Sequence, residues 1–243
     1  MFFIQHRTSF SSLSYLFGCA GKSAAVAVDV LPEDVDTFMQ MAEERGVNIL
    51  YVIDTHLHAD HYSGGRELAD KTGAKYCLHE SAKTEFAYHA LSHGQHLTAG
   101  NVGVEIIHTP GHTEDDIALL VTDNSRCHEP WFILTGHTLF PGAVGRPDLH
   151  GREQEMAGKL YDSIYGRLLS LPDHLEIYAG AMAGSVCGGG ISAKPASTIG
   201  FEKRHNPSLI RNKDQFIDNV TSIALAVPEG IKDFYHFNIG KNA

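Results

Sequence analysis

A single-domain α/β fold is predicted for this chain by three observations. Residues 49–53 form a continuous apolar run of the length and character of a strand buried on both faces. Segments with a two-residue apolar rhythm alternate along the chain with segments of helical rhythm. The 243 residues, 43% hydrophobic and 20% charged, suffice for one large core and contain no linker, low-complexity stretch or strong internal repeat.

In chain order, residues 2–4, 14–17 and 24–28 read as short strands separated by Ser/Thr or Gly-Lys turns, an antiparallel meander. Pro32 stands where a first-turn proline belongs, Glu33 and Asp34 suit the positive end of a helix, and Val35, Phe38, Met39 and Ala42 line one face as far as Gly46. The central strand, 48–54, follows. Gly64 and Gly65 permit a sharp turn into a short helix over 66–71, capped by Gly73. Residues 102–108, 117–122 and 131–134 read as three more strands, each running into a polar or Gly-containing loop. Met156, Leu160, Ile164 and Leu168 recur every four residues and mark a helix ending before Pro172. Residues 176–178 supply a late strand and 215–224 a last amphipathic helix, and the tail from Pro228 packs on the domain. His79, His89, His93 and His96 scatter over a helix and loop and read as solvated, whereas His108 packs or bonds backbone.

Composition narrows the partners. A net charge of −10 offers nucleic acid no electrostatic footprint, and no segment approaches the roughly 20 apolar residues a membrane span needs. Residues 1–18 lack a basic leader region and are interrupted by Gln5, His6 and Arg7, so no signal peptide is expected and a cytoplasmic location follows. Cys19, Cys77, Cys127 and Cys187 lie far apart without a C-x-x-C pair, which argues for reduced thiols over a zinc ribbon or a disulfide framework. Small molecules are the expected partners.

The chemistry concentrates in three clusters. Directly after the central strand, His56, His58, Asp60 and His61 fall within six positions, with two imidazoles on alternate residues able to grip one ion. This places a metal motif at a strand's carboxyl end, where open α/β sheets put their chemistry. Thr109-Pro110-Gly111-His112-Thr113 forms a tight turn after a strand and presents a further imidazole. Thr135-Gly136-His137-Thr138-Leu139-Phe140 does the same after the next.

The succession H-x-H-x-D-H, T-P-G-H-T and T-G-x-T-L-F resembles the metallo-β-lactamase superfamily, with motifs in order over residues 50–190. The resemblance implies a four-layer αββα sandwich with a metal site at the upper edge of its two sheets, and a helical extension from about residue 197. Gly145-Arg146-Pro147-Asp148-Leu149, Ala183-Gly184-Ser185-Val186-Cys187-Gly188 and residues 197–203 resemble the branch holding persulfide dioxygenases and their rhodanese-fused relatives, with glyoxalase II a more distant cousin. No rhodanese segment is recognised within these residues.

Two departures stand out. His137 occupies a position that is an aspartate in most of the superfamily, where it bridges two zinc ions in glyoxalase II and completes the iron site in persulfide dioxygenases. Ala181 occupies the place of a late histidine that binds a second metal. The resemblance therefore implies one divalent metal per chain, Fe(II) ahead of Zn(II), held by His56, His112 and His137 with His58 a further ligand or close neighbour. Imidazole suits several metals, so the ligands alone do not select one. Three neutral ligands leave the ion's full positive charge, one unit more than a two-histidine, one-carboxylate site, which favours an anionic substrate.

Several residues keep two readings. Arg146 either clamps a substrate carboxylate or pairs with Asp148. Cys187 either carries a sulfur near the metal or is an inert buried thiol. Asp60 orients a metal ligand or acts as a general base beside His61. The leading expectation is a mononuclear enzyme oxidising a low-molecular-weight persulfide, such as glutathione persulfide, with O2 to sulfite and thiol. Alternatives are a zinc-dependent thioester hydrolase and a non-catalytic metal- or sulfur-binding protein. A homodimer and a rhodanese-type sulfur donor complete the expected partners.

Overall fold

The computed structural model describes residues 1–148, 151–223 and 229–241. The chain opens on β1 (Phe2–Arg7), β2 (Leu13–Cys19) and β3 (Ala24–Val28), the expected antiparallel meander. A 3-10 turn over Pro32–Asp34 leads into α1 (Val35–Glu44), then β4 (Asn48–Ile53), α2 (Gly65–Thr72), β5 (Lys75–His79) and β6 (His89–Leu91). These strands form one sheet in chain order, parallel from β3 onward. A parallel step needs a crossover, and α1 and α2 supply the first two while covering the same face.

The second half contributes β7 (His96–Ala99), β8 (Val102–His108), β9 (Ile117–Asp123) and β10 (Phe132–Leu134). After the small hairpin β11 (Leu139–Phe140) and β12 (Ala143–Val144) come α3 (Glu153–Ser163), β13 (Glu176–Tyr178), β14 (Ser197–Thr198), α4 (Ile199–His205), α5 (Lys213–Ser222) and α6 (Ile231–Asn238). The second sheet runs β14-β13-β10-β9-β8-β7.

The two-residue period of the strands sorts side chains between cores. Tyr15, Phe17, Val26 and Val28 meet Leu119, Val121 and Phe132 between the sheets. Their alternates Leu16, Ala25 and Ala27 pack outward with Phe38 of α1 and Leu68 of α2, while Ala118 and Leu120 of β9 face Leu160 of α3 and Phe216 of α5. Helices, sheet, sheet and helices are the four layers expected. Phe38 is fully buried where α1 meets the sheet. Phe38→Ala is expected to remove roughly 3–5 kcal/mol of unfolding free energy, measured as a lowered urea midpoint with an unchanged slope.

α3 runs on through a π turn at Ile164–Leu168, with Leu169 N bonded to Ile164 O at 2.8 Å. A strict four-residue apolar repeat drifts off the face of a 3.6-residue helix, and one wider turn brings Ile164 and Leu168 back onto the core. The helix expected over 215–224 is α5, of which position 224 lies outside the described residues, as does Pro228, but it is not the last, because α6 follows it.

The region of His79, His89, His93 and His96 departs from expectation, for it is built of strands rather than a helix and loop. His79 ends β5, His89 opens β6 and His96 opens β7. His93 and His96 are exposed and His89 half-buried, but His79 is buried. Its ring stacks on that of His108 with centroids 3.8 Å apart and planes 12° apart, which ties the end of β5 to the end of β8. His108 Nε2 donates to the Glu114 carbonyl at 2.8 Å, the backbone bond expected of it. Burial, aided by the neighbouring His108, pushes His79 down to about 4.

Because the folded ring binds a proton less readily than the unfolded one, stability carried by His79 is complete above about pH 6.5 and falls as pH drops toward 4. Between pH 7 and pH 5 the wild-type chain is therefore expected to lose more stability than His79→Gln, as read from urea midpoints at the two pH values.

Candidate metal centre

Four loops meet at one end of the sandwich, following β4, β8, β10 and β13 at their carboxyl ends. The first is pinned from β3. Asp29, which takes the left-handed conformation with φ 52°, accepts the Thr55 N–H on Oδ1 at 2.7 Å and the Thr55 hydroxyl on Oδ2 at 2.9 Å. Asp29 Oδ1 also lies 3.1 Å from His58 Nε2. A non-glycine residue in this conformation is a strained position of the kind found where function requires it.

These bonds assign protons. The Thr55 hydroxyl is spent on Asp29, so its oxygen accepts from His56 Nδ1 at 3.0 Å, which leaves His56 Nε2 as a bare lone pair. His112 Nδ1 likewise donates to the Arg146 carbonyl at 2.9 Å, which leaves Nε2 as the accepting nitrogen of the ring. His137 Nδ1 stands 3.3 Å from His112 Nε2. Two nitrogens bound about 2.05 Å from one tetrahedral ion lie about 3.3 Å apart, so the separation matches shared ligation. One nitrogen from each of His56, His112 and His137 falls within 4.8 Å of the others, and the ring centroids are 4.6–5.0 Å apart.

His58 stands in the adjoining group. Its ring is 4.2 Å from those of both His56 and His61, and its Nδ1 faces Asp60 Oδ1 at 3.8 Å. His61 Nε2 lies 3.7 Å from the same oxygen. Asp60 Oδ2 accepts the Cys187 thiol at 3.1 Å, so the structure brings Asp60, His61 and Cys187 to the edge of the histidine triad.

All these side chains are at most 6% exposed. Yet His56 Nε2, His58 Nδ1, Asp60 Oδ1, His61 Nε2 and His137 Nε2 have no hydrogen-bond partner among the described residues. Buried polar atoms are seldom left unpaired, because each costs about 1–3 kcal/mol. Unpaired lone pairs clustered here fit the donor set of a metal centre, and among the described residues His56, His112 and His137 form one of four groups whose ligand atoms lie within 4.8 Å of one another, beside His58–Asp60–His61, Asp60–His137–Cys187 and Asp29–Asp54–His58.

The electrostatics agree. Burial, reinforced by the neighbouring imidazoles, pushes His56 well down, and burial pushes His137 down to about 4. Both are held in the neutral form that ligation requires. Burial works against a charge on His58, but Asp29 overrides it and lifts the group to about 9. Burial would likewise raise Asp60, yet the imidazoles of His61, His137 and His58 hold it well below the usual carboxylate range. Burial and the adjacent Asp60 push the Cys187 thiol well up, which keeps its proton on sulfur.

The two departures meet in space. A β-carbon added to Gly180 would come within 2.9 Å of His137 Cδ2, so the bare backbone at 180 leaves room for the imidazole. The adjacent Ala181 is buried and offers no ligand atom.

Arg146 is corrected toward the second of its two readings. Its Nε and Nη2 each reach Asp148 at 2.7 Å, and Nη1 donates to the Val186 carbonyl at 3.0 Å. The guanidinium joins two loops at the site, and a substrate carboxylate would have to displace Asp148 to be clamped by it.

Sequence reasoning passed over Asp29, Asp115 and Asn238. Asp115 Oδ2 accepts the Leu57 N–H at 2.9 Å across 58 positions. Asp29 follows an apolar strand just as Asp54 does, and that parallel is a signal that would have found it. Asp115 sits in the T-P-G-H-T-E-D-D run but carries no ligand pattern of its own.

The family model described as the metallo-beta-lactamase superfamily matches residues 7–179. The mitochondrial persulfide dioxygenase ETHE1 of Bos taurus is 26% identical over 219 residues, spanning 90% of this chain and 79% of the relative. A crystal structure of ETHE1 from Myxococcus xanthus superposes with a TM-score of 0.85 at 29% identity and covers the whole of both chains. A metallo-beta-lactamase from Staphylococcus aureus subsp. aureus COL gives 0.93 at 31% identity, over all of this chain and 73% of that one.

Proposed function

The chain belongs to the metallo-β-lactamase superfamily, and from that premise we propose that it is a mononuclear metalloenzyme that oxidises a low-molecular-weight persulfide. The observation that carries the reading is the buried triad of His56, His112 and His137, whose ligand atoms lie within 4.8 Å of one another, beside the group of His58, Asp60 and His61. Similarity to persulfide dioxygenases over nine tenths of the chain supports the choice of chemistry. The net reaction is RSSH + O2 + H2O → RSH + SO3²⁻ + 2 H⁺, with glutathione persulfide as the candidate substrate.

Fe(II), when bound, supplies a coordination position for the substrate sulfur and the means of activating O2. The chain does the rest. His56 is held by Thr55, and through it by Asp29, while His112 is held by the Arg146 carbonyl, so both rings present Nε2 with their tautomers set. His137 contributes Nδ1, because a γ-branched carboxylate and an imidazole both place a ligand atom one bond beyond Cγ. The two nitrogens of an imidazole face opposite ways, so His137 cannot bridge two close ions as a carboxylate does, which supports one metal per chain. Asp60, ionised, and the Cys187 thiol form a proton-holding pair at the edge of the triad. The burial of these groups excludes bulk water from the reacting sulfur.

The decisive experiment loads the protein with Fe(II) anaerobically and mixes it with glutathione persulfide and O2. Oxygen uptake with matching sulfite is expected, and it should vanish in His137→Ala. Hydrolysis of a glutathione thioester by the zinc-loaded protein, with no oxygen uptake by the iron-loaded one, would replace this reading with that of a hydrolase.

A further inference from the structure

We propose that Asn238, on α6, is a positioning residue for the metal centre, fixing the backbone of the loop that carries His58, Asp60 and His61. This deepens the metal reading and rests on it. Asn238 lies outside residues 7–179, the part of the chain matched by the family model.

The observation is a three-pronged contact. Asn238 Nδ2 donates to the carbonyls of His58 at 2.9 Å and His61 at 2.8 Å, and Oδ1 accepts the Ser63 N–H at 2.8 Å. These partners fix which end of the carboxamide is which, since a flipped amide would set an oxygen against two carbonyls. The loop between β4 and α2 has no strand ladder over these residues. Asp115 holds its start at Leu57, and the Val30 carbonyl holds its end at Gly64. Asn238 holds the stretch between.

The helix that carries it is docked for the purpose. An eight-residue helix is marginal by itself, but Tyr62 packs edge-on against Phe234 at 4.7 Å and Phe237 at 4.9 Å. Ile239 joins Leu57 and Leu78 in a small core. Those apolar contacts already seat α6. A buried carboxamide adds a desolvation cost that only fully made hydrogen bonds offset, and these go to the segment bearing the unpartnered atoms His58 Nδ1, Asp60 Oδ1 and His61 Nε2. An apolar side chain could fill the space without setting the positions of those atoms.

Cobalt(II) tests the proposal, because its visible absorption reports ligand geometry without turnover. Asn238→Ala removes all three bonds. Asn238→Asp keeps the size and an acceptor for Ser63 N–H but turns a carboxylate oxygen toward two carbonyls. Because the same loop carries the proposed ligand His56 two positions before His58, both variants are expected to bind cobalt about tenfold to a hundredfold more weakly, with an altered spectrum, and to exchange amide hydrogens faster over residues 57–64 while β8 and β9 stay protected.

Wild-type affinity and spectrum in Asn238→Asp would mean that the side chain only fills space, and would overturn the proposal. Failure of the wild-type chain to take up cobalt would instead count against the metal reading. Hydrogen exchange in the metal-free chain then decides the matter, since unchanged protection over 57–64 in Asn238→Ala overturns the positioning role.

Discussion

His112→Ala is expected to weaken metal binding by about a hundredfold or more. Four-ligand structural zinc sites bind with apparent free energies of about 10–16 kcal/mol, or roughly 3 kcal/mol per ligand, and each 1.4 kcal/mol is tenfold in affinity. Of the three proposed ligands, His112 is the most completely prepared. Its Nδ1 is committed to the Arg146 carbonyl, its Nε2 faces His137 Nδ1 at 3.3 Å, and it sits at 1% exposure on a turn between β8 and β9. His58, the imidazole beside His56, is tied by Nε2 to Asp29 and faces Asp60 with Nδ1, which opposes its moving into the vacated place. The measurement is metal content after dialysis against a competing chelator, alongside a far-ultraviolet spectrum showing that the variant is folded. Stoichiometric metal retained by folded His112→Ala would remove the triad from consideration as the binding site.

The parts of the site legible in the sequence are those whose chemistry is written in adjacent residues. His56, His58, Asp60 and His61 announce themselves because a strand exit leaves side chains at short spacing on one side. β8 and β9 are legible for a similar reason, as seven-residue strands with an inward-facing apolar row. β6 and β7, of three and four residues, are too short for any period to emerge, and β5 is partly masked by its lysine and tyrosine.

What stayed hidden depends on contacts across the chain. Asn238 and Ser63 are 175 positions apart, and nothing local to either predicts the bond. Arg146 was undecidable for another reason. An arginine two residues from an aspartate can pair with it or turn toward a ligand, and the choice depends on where the Val186 carbonyl lies, 40 positions away. The pairing of His58 with Asp29 was also invisible, because Asp29 lies on another strand exit.

His137→Asp is expected to raise the pKa of solvent or thiol bound at the metal by about one to two units, the scale on which local charge shifts metal-bound water. With three imidazoles as the proposed ligands, the ion would keep its full double positive charge. A carboxylate in place of His137 Nδ1 neutralises one unit at bonding distance, and an Oδ atom falls in nearly the same place because both atoms stand one bond beyond Cγ. The change therefore alters charge far more than reach.

The variant also gains the two-histidine, one-carboxylate set that suits Fe(II), so iron should compete better against zinc than in the wild type. Removing the ring clears the space beside Gly180, where His137 Nε2 lies buried without a partner among the described residues, so no steric penalty opposes the exchange. A titration of the cobalt-loaded proteins by visible absorption measures the shift directly. Below its midpoint the variant should hold less of the ionised species than the wild type and bind an anionic sulfur more weakly. Identical midpoints and identical metal preference would mean that His137 does not touch the ion, and the metal would then belong to His56 and His112 with His58 drawn in from beside Asp29.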